Sequence, residues 1–139
     1  MSNQIPKLKL ESVPLKVLAI CGSPRRDSNS QILLDLAVEG ARSTGNVEVE
    51  HYTFEGKKIS GCTACNAYCI KNHDCAHKDG FQEFAQKWLR AEAIIWALPV
   101  YTMSGPAMVR GVLDGLGEVF LGNRIEQVRA GGTLPHFMK

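Results

Sequence analysis

Three apolar or alternating segments of the chain have the patterns of β-strands. Leu15–Ile20 reads LKVLAI, and Ala93–Tyr101 reads AIIWALPVY with a break at Pro99. Almost unbroken apolar runs are typical of parallel strands that are buried on both faces. Val47–Phe54 reads VEVEHYTF and begins by alternating apolar and polar residues. That alternation predicts an edge strand covered on one face only.

A segment with helical spacing follows each predicted strand. Ser28 and Asp79 are predicted N-caps, and Gln31 and Gln82, three residues later, complete capping boxes. Ser104 is predicted to cap the third helix. The apolar positions predict one buried stripe in each helix. These stripes are Ile32, Leu33, Leu36, Ala37, Gly40 and Ala41; Phe81, Phe84, Ala85, Trp88 and Leu89; and Met108, Val109, Val112, Leu113 and Leu116.

The alternation of strands and helices predicts a parallel sheet with right-handed crossovers. Because the second strand is the polar one, we place it at the edge, which gives the order 2-1-3 of flavodoxin-like folds. The expected fold is a flavodoxin-like three-layer α/β sandwich with strand order 2-1-3-4-5, or a truncated version of it. Ile125–Ala130 is a poor match to a buried fourth strand, and no fifth strand is predicted. We expect an N-terminal arm over 1–14 and a single domain over 15–139.

Composition narrows the class of protein. With 139 residues, 45% hydrophobic and 22% charged, the chain has the size and composition of one soluble globular domain. A net charge of +2 without a basic run argues against nucleic-acid binding. No segment approaches the roughly 20 apolar residues of a membrane helix, and the N-terminus lacks a signal-peptide pattern. We therefore expect a cytoplasmic protein whose five cysteines are not structural disulfides.

The segment CGSPRRDSNS, residues 21–30, joins the first strand to the first helix and is a candidate phosphate loop. A helix N-terminus offers unpaired N–H groups and a partial positive charge to an anion. Three hydroxyls, an amide and a guanidinium lie in the same segment, on Ser23, Ser28, Ser30, Asn29 and Arg25. Taken alone, the serines fit helix capping equally well. The glycine-rich dinucleotide and P-loop fingerprints are absent.

Two segments resemble the NADPH-dependent FMN reductase family. GSPRRDSNSQ is similar to the family's phosphate loop, G-S-x-R-x-x-S-x-[ST], and LPVYTMSGPAMVRGVLDG is similar to its P-x-Y-x-x-[SG]-x-P-x-x-[LV]-[KR]-x-x-[LIF]-D-R segment. The resemblance implies that FMN binds here, with its phosphate on the first segment. It also implies that the turn after the third strand contacts the isoalloxazine ring. The residues of that turn are Pro99, Val100, Tyr101, Thr102, Met103 and Ser104.

The resemblance covers about 17–114 and then ends. Gly115 stands where the family usually has an arginine, which often holds subunits together. Beyond Phe120 the family continues through two more strands that often add flavin contacts. The resemblance also implies a homo-oligomer, a dimer or a tetramer, and a short sheet leaves strand edges that a second subunit can cover.

Four cysteines lie in a loop at 61–78 that has no predicted helix or strand. Cys62, Cys65, Cys69 and Cys75 follow the spacing C-x2-C-x3-C-x5-C. Compact runs of four cysteines can enclose a [4Fe–4S] cluster. The loop resembles the four-cysteine motif of the iron–sulfur flavoprotein subgroup, whose second gap is usually two residues rather than three. That resemblance implies that the four thiolates ligate a cluster.

Other chemistry remains open for this loop. Zinc binding by Cys62 and Cys65 with a later cysteine or with His73 or His77 is one alternative. A redox pair of Cys62 and Cys65 is a second, and cysteines retained without any metal are a third.

The leading functional hypothesis is a flavin-dependent oxidoreductase of the iron–sulfur flavoprotein type. FMN would exchange electrons with the cluster and with an external small-molecule or protein donor or acceptor, and no side chain need act as an acid or base. One alternative is an NAD(P)H-dependent FMN or quinone reductase without a cluster. The other is a truncated, non-enzymatic module that binds flavin or zinc.

Overall fold

The computed structural model describes residues 13–131, except for the side chains of 121–127. All but the last two residues of the expected N-terminal arm, 1–14, therefore lie outside the described residues. Three strands and four helices follow one another along the chain. They are β1 (Leu15–Cys21), α1 (Asn29–Ser43), β2 (Val47–Thr53), α2 (Asn66–Asn72), α3 (Gly80–Arg90), β3 (Ala93–Ala97) and α4 (Ala107–Arg129). None of the described helices combines the length and the apolar character that a bilayer crossing requires.

The three strands form a parallel sheet in the order β2-β1-β3. Ala19 of the central strand lies opposite His51 on one side and Ile95 on the other. From Val17 onward β1 is buried. The predicted order 2-1-3 and the parallel direction are confirmed, and residues 13–131 form a flavodoxin-like α/β sandwich with three strands.

Helices cover both faces of the sheet. On one face, Leu34 and Val38 of α1 pack against Ala19 and Cys21. On the other face, α3 and α4 cover Leu18 and other β1 residues. Aromatic rings join β2 and β3 to α3, with centroid separations between 5.1 and 6.0 Å. These rings belong to Tyr52, Phe54, Phe84, Trp88 and Trp96. The position of α3, and of the loop before it, therefore depends on this aromatic contact.

The predicted buried stripe of α1 is wrong. Ile32, Leu33 and Leu36 are 58–64% exposed, whereas Leu34 and Val38 are buried. Buried Ser30 at the start of the helix fixes its rotation, and positions four and eight residues later share its face. Ala37 and Gly40 are also exposed, and Ala41 is half-buried. The expected capping box is wrong too: Ser28 does cap the helix, but the side-chain Nε2 of Gln31 donates to Asp35 Oδ1 at 2.8 Å.

The other helical stripes are confirmed only in part. Phe81, Phe84 and Ala85 of α3 and Val109, Val112 and Leu116 of α4 are buried, and Trp88 and Met108 pack against the same core. Leu89 and Leu113, at 58% and 42% exposure, were wrongly predicted to be buried. Both lie at the margins of the apolar stripes, next to exposed positions of their helices.

Two predictions about the region from residue 93 onward are wrong. The third strand ends at Ala97, and its residues are half-buried or exposed because β3 lies at an edge of the described sheet. Ile125–Ala130 is not strand: α4 continues through Arg129. No proline interrupts that segment, and its Glu126, Gln127 and Arg129 favour helix.

Candidate functional site

The loop between β1 and α1 brings three serines together. Ser23, Ser28 and Ser30 are all buried. The Ser28 hydroxyl accepts a hydrogen bond from the Gln31 amide at 3.2 Å, and the Ser23 hydroxyl accepts one from the Arg25 amide at 3.2 Å. Because these side chains are fixed beside the N-terminus of a 15-residue helix, the loop is suited to bind an anion such as a phosphate group.

The polar and basic side chains of the same loop lie at its surface. Arg25 and Asn29 are exposed, so the structure places them at the rim and not among the buried serines. Arg26, exposed as well, forms an ion pair with Glu55 at 2.7 Å. Arg25 can therefore reach an anion on the loop, whereas Arg26 is held toward the end of β2.

Gly22 has a packing role that the sequence did not reveal. A Cβ at this position would lie 2.2 Å from Leu98 Cδ2 and 3.1 Å from Val109 Cγ2. The Gly22 amide also donates to the Ala97 carbonyl at 2.9 Å. The start of the loop is thus in close contact with the end of β3 and with α4, and a side chain at this position would require Leu98 to shift.

The segment after β3 forms a tight turn. The Tyr101 amide donates to the Ser104 carbonyl at 2.6 Å, and the Ser104 amide donates back at 2.9 Å. The intervening Thr102 and Met103 have φ of 46° and 63°, as the central residues of a type I′ turn do. Ser104 is therefore part of this turn and does not cap α4, which begins at Ala107 directly after Pro106. The prediction of a Ser104 cap is wrong.

The turn lies at the same edge of the sheet as the serine loop. Both follow the carboxyl ends of adjacent parallel strands, where ligands bind in folds of this kind. Val100 and Met103 are 78% and 96% exposed, and Tyr101 is 41% exposed. Pro99 is half-buried, and Thr102 and Ser104 are exposed. Exposed apolar side chains beside a buried hydroxyl cluster suit a ligand that has a flat apolar part and an anionic part.

The cysteine loop contains a short helix that was not predicted. Asn66–Asn72 forms α2, with Cys65 at its N-cap and Cys69 in its interior. The Cys65 carbonyl accepts from the amides of Tyr68 and Cys69. A spacing of four places Cys65 and Cys69 on one side of the helix. With only seven residues, the helix has too few apolar positions to give a detectable period.

The four thiols of the loop influence one another. Burial, and then the nearby thiols of Cys65, Cys75 and Cys62, raise the pKa of Cys69 from 9.0 to about 11. Burial also raises the pKa of Cys75. All four are free cysteines. A [4Fe–4S] cluster takes four thiolate donors, and these four cysteines lie close enough to shift one another's pKa.

A site for a single metal ion is not formed by the described residues. Between 13 and 131, no three cysteine, histidine or acidic side chains are grouped so that they could hold one ion. His77, a ligand in the zinc hypothesis, has its Nε2 atom 3.4 Å from the Thr63 hydroxyl.

The N-terminus of α3 joins the two ends of the cysteine loop. Asp79 caps this helix, and its carboxylate accepts from the amides of Phe81 at 2.9 Å and Ser60 at 2.7 Å. The Gly80 amide donates to the Lys58 carbonyl at 3.0 Å. Burial would raise the pKa of Asp79, but these backbone hydrogen bonds outweigh it and lower the pKa. The predicted capping box of Asp79 and Gln82 is confirmed.

Helix α4 contacts both loops. Its Val109 side chain lies against Gly22 of the serine loop. Two residues later, a Cβ on Gly111 would lie 3.4 Å from the Ser60 carbonyl oxygen and 3.5 Å from the Gly61 Cα. The serine loop and the start of the cysteine loop are therefore separated by little more than the first turns of one helix.

Comparisons with known proteins agree with this architecture. A model of the NADPH-dependent FMN reductase family matches residues 15–131. An iron–sulfur flavoprotein of Archaeoglobus fulgidus is 32% identical over 100 residues, which are 72% of this chain and 44% of that protein. A second iron–sulfur flavoprotein of this organism is 35% identical over 98 residues, 70% of this chain and 49% of the relative. An iron–sulfur flavoprotein of Methanosarcina thermophila is 31% identical over 100 residues, which are 72% of this chain and 51% of that protein.

The chain spans about half the length of these curated relatives. The family match, however, covers nearly all of the described residues, including the serine loop, the cysteine loop and the turn after β3. The chain belongs to the NADPH-dependent FMN reductase family.

Proposed function

We propose that this chain binds FMN and a [4Fe–4S] cluster and acts as a flavin-dependent oxidoreductase of the iron–sulfur flavoprotein type. The observation that carries the proposal is the contact of α4 with both loops, through Val109 on one side and Gly111 on the other. Two redox groups held on opposite sides of one helix turn are close enough to exchange electrons. The names of the relatives support the same pairing of groups.

The serine loop holds the phosphate of FMN in this proposal. The buried hydroxyls of Ser23, Ser28 and Ser30 and the N–H groups of α1 donate to the phosphate oxygens. Asn29 and Arg25 approach from the rim. The exposed turn at 99–104 packs on the flavin ring, which supplies the redox chemistry when bound.

The cysteine loop holds the cluster. Cys62, Cys65, Cys69 and Cys75 are the four ligands, and the cluster supplies one-electron transfer when bound. An amide donates to one of these sulfurs: the Ala64 N–H lies 3.4 Å from Cys62 Sγ. Hydrogen bonds to ligand sulfur raise the reduction potential of such clusters.

Anaerobic purification followed by visible spectroscopy and iron and sulfide analysis tests both parts. We expect flavin bands on a broad absorbance that bleaches with dithionite. Cys69→Ser should remove the iron and the broad absorbance but keep the flavin. Cys21→Ser, at the fifth cysteine outside the loop, is the control and should keep the iron. Wild-type protein that carries flavin without iron would contradict the cluster.

The family match itself favours a second candidate, an NAD(P)H-dependent FMN or quinone reductase that needs no cluster. That activity predicts rapid NADPH oxidation with a quinone acceptor, and Cys62→Ser would leave the rate unchanged. A rate that falls with the iron content would instead support the leading proposal.

We further propose that the protein works in the cytoplasm and assembles as a homo-oligomer. Five free thiols suit a reducing compartment. The exposed side chains of Ile32, Leu33 and Leu36 form an apolar face on α1. Helix α1 contacts β3. Within 13–131, β3 has β1 on one side and no strand on the other. A second copy of the chain is the occupant that we assign to this face.

A further inference from the structure

Gln82 makes more hydrogen bonds than a capping box requires. Its Oε1 accepts from the Asp79 amide at 3.0 Å, which is the ordinary capping contact. Its Nε2 group also donates to the His77 carbonyl at 2.7 Å and the Cys75 carbonyl at 3.3 Å. A further contact at 3.3 Å joins the same nitrogen to Asp74 Oδ1. One half-buried side-chain amide therefore binds three residues in the last part of the cysteine loop, Asp74, Cys75 and His77.

Cys75 is the cysteine whose position most needs such support. Cys65 and Cys69 are fixed by α2, but that helix ends at Asn72, within the gap between Cys69 and Cys75, which is the longest between successive cysteines. His73, just after it, has a left-handed backbone with φ of 53°. The segment that follows is held by side chains: Asp74 accepts from the Cys75 amide at 2.7 Å and is itself bound by Gln82.

We propose that Gln82 is a positioning residue that holds Cys75 in place opposite the other three cysteines. The inference rests on the proposed function for the reason why Cys75 must be held in place. The hydrogen bonds of Gln82 do not depend on that function. The two polar atoms of the side-chain amide have different partners. The oxygen caps α3, and the nitrogen fixes the backbone on which Cys75 is carried.

A comparison within the chain shows that this arrangement is not a general result of helix capping. Gln31 occupies the same position in α1, three residues after the N-cap Ser28. Its Nε2 donates forward to Asp35. The contacts of Gln82 with the preceding loop are therefore specific to α3.

Two substitutions separate capping from positioning. Gln82→Glu keeps an oxygen that can accept from the Asp79 amide but has no N–H to donate to the loop. Gln82→Met removes both contacts at similar volume. Gln86→Met is the matched control, because Gln86 is exposed one turn later on the same helix.

The first readout is the alkylation rate of Cys75 in the reduced, cofactor-free full-length chain, measured by peptide mass spectrometry with iodoacetamide. We expect both Gln82 variants to react on the order of tenfold faster than wild type, because two hydrogen bonds no longer oppose local opening. Gln86→Met should react at the wild-type rate. Iron and sulfide per chain should fall in both Gln82 variants, with FMN content unchanged.

Two results would overturn the inference. One is a Gln82→Glu protein that matches wild type while Gln82→Met does not, since the glutamine would then only cap the helix. The other is an equal Cys75 alkylation rate in all four proteins. If wild type takes up no iron, the proposed function fails, and the alkylation rates still decide the role of Gln82.

Discussion

At the scale of single residues, Gly115 illustrates how the absence of a side chain sets the distance between two helices. A Cβ at this position of α4 would lie 2.7 Å from Cε2 of Phe81 on α3. The Phe81 ring occupies the space that a longer side chain would need. A side chain as long as arginine would therefore not fit at this position unless the Phe81 ring moved.

We predict that Gly115→Ala destabilises the protein by about 1–3 kcal/mol, because overpacking outweighs the better helix propensity of alanine. Gly117→Ala is the matched control on the same helix, since a Cβ there meets no atom within 4 Å. That control should stabilise the protein by about 0.5–1 kcal/mol. Urea denaturation measures both, and equal shifts for the two variants would contradict the packing argument.

Tyr52 should make stability fall at alkaline pH. Burial, and then the charges of Glu83 and Asp79, raise its pKa from 10.0 to about 12. Above pH 10 the unfolded chain loses this proton while the folded chain keeps it. The free energy of unfolding therefore falls as the pH rises from 10 to 12.

Tyr52→Phe tests this prediction through urea midpoints measured across that pH range. The variant should lose part of the alkaline decline and be only slightly less stable near neutral pH, because the hydroxyl contact with the Gly80 carbonyl is long, at 3.5 Å. Tyr101→Phe, at an exposed tyrosine, is the control and should keep the full decline. The prediction fails if the two variants decline equally.

At the scale of elements, the sequence predicted elements whose signals are local. The strand β1 and the capping box of α3 depend on neighbouring residues, and both are confirmed. The rotation of α1 buries Ser30, Leu34 and Val38, and the spacing of apolar residues alone did not show that the polar Ser30 belongs to the buried face. The β3 strand was expected to be buried, yet burial depends on whether another strand lies beside it. The helix α2 and the second role of Gln82 likewise depend on contacts between distant residues.

The turn after β3 contains strain that a substitution can remove. Thr102 and Met103 both have left-handed backbones, which cost a non-glycine residue roughly 1–2 kcal/mol each. Glycine removes this strain, but it also has more conformational entropy in the unfolded chain. We therefore expect Thr102→Gly to be neutral or to stabilise the cofactor-free protein by up to about 1 kcal/mol. Val100→Gly, at a neighbouring exposed residue, should be destabilising. Thermal unfolding compares them, and a Thr102→Gly loss as large as that of Val100→Gly would contradict the role of strain.

At the scale of the whole molecule, self-association is predicted by the apolar face of α1 and by the β3 edge, which pairs with no further strand within 13–131. Light scattering at micromolar concentration should give more than the mass of one chain. Leu33→Glu should restore the monomer, because it places a charge in the proposed interface. Leu89→Glu, at a similarly exposed leucine of α3 on the other side of the sheet, should not. A monomeric wild-type chain would contradict the proposal.

The two edges of the sheet differ in a way that limits how far such association can go. β2 has two exposed charged residues, Glu48 and Glu50, of which Glu50 forms an ion pair with Lys87 of α3, whereas β3, AIIWA, has no charged residue. Charges on an edge strand discourage the addition of another strand. A two-fold dimer joined through β3 would therefore have the charged β2 strand at both outer edges of its combined sheet. Association would stop at that pair, closed by symmetry, and would not extend into a fibre.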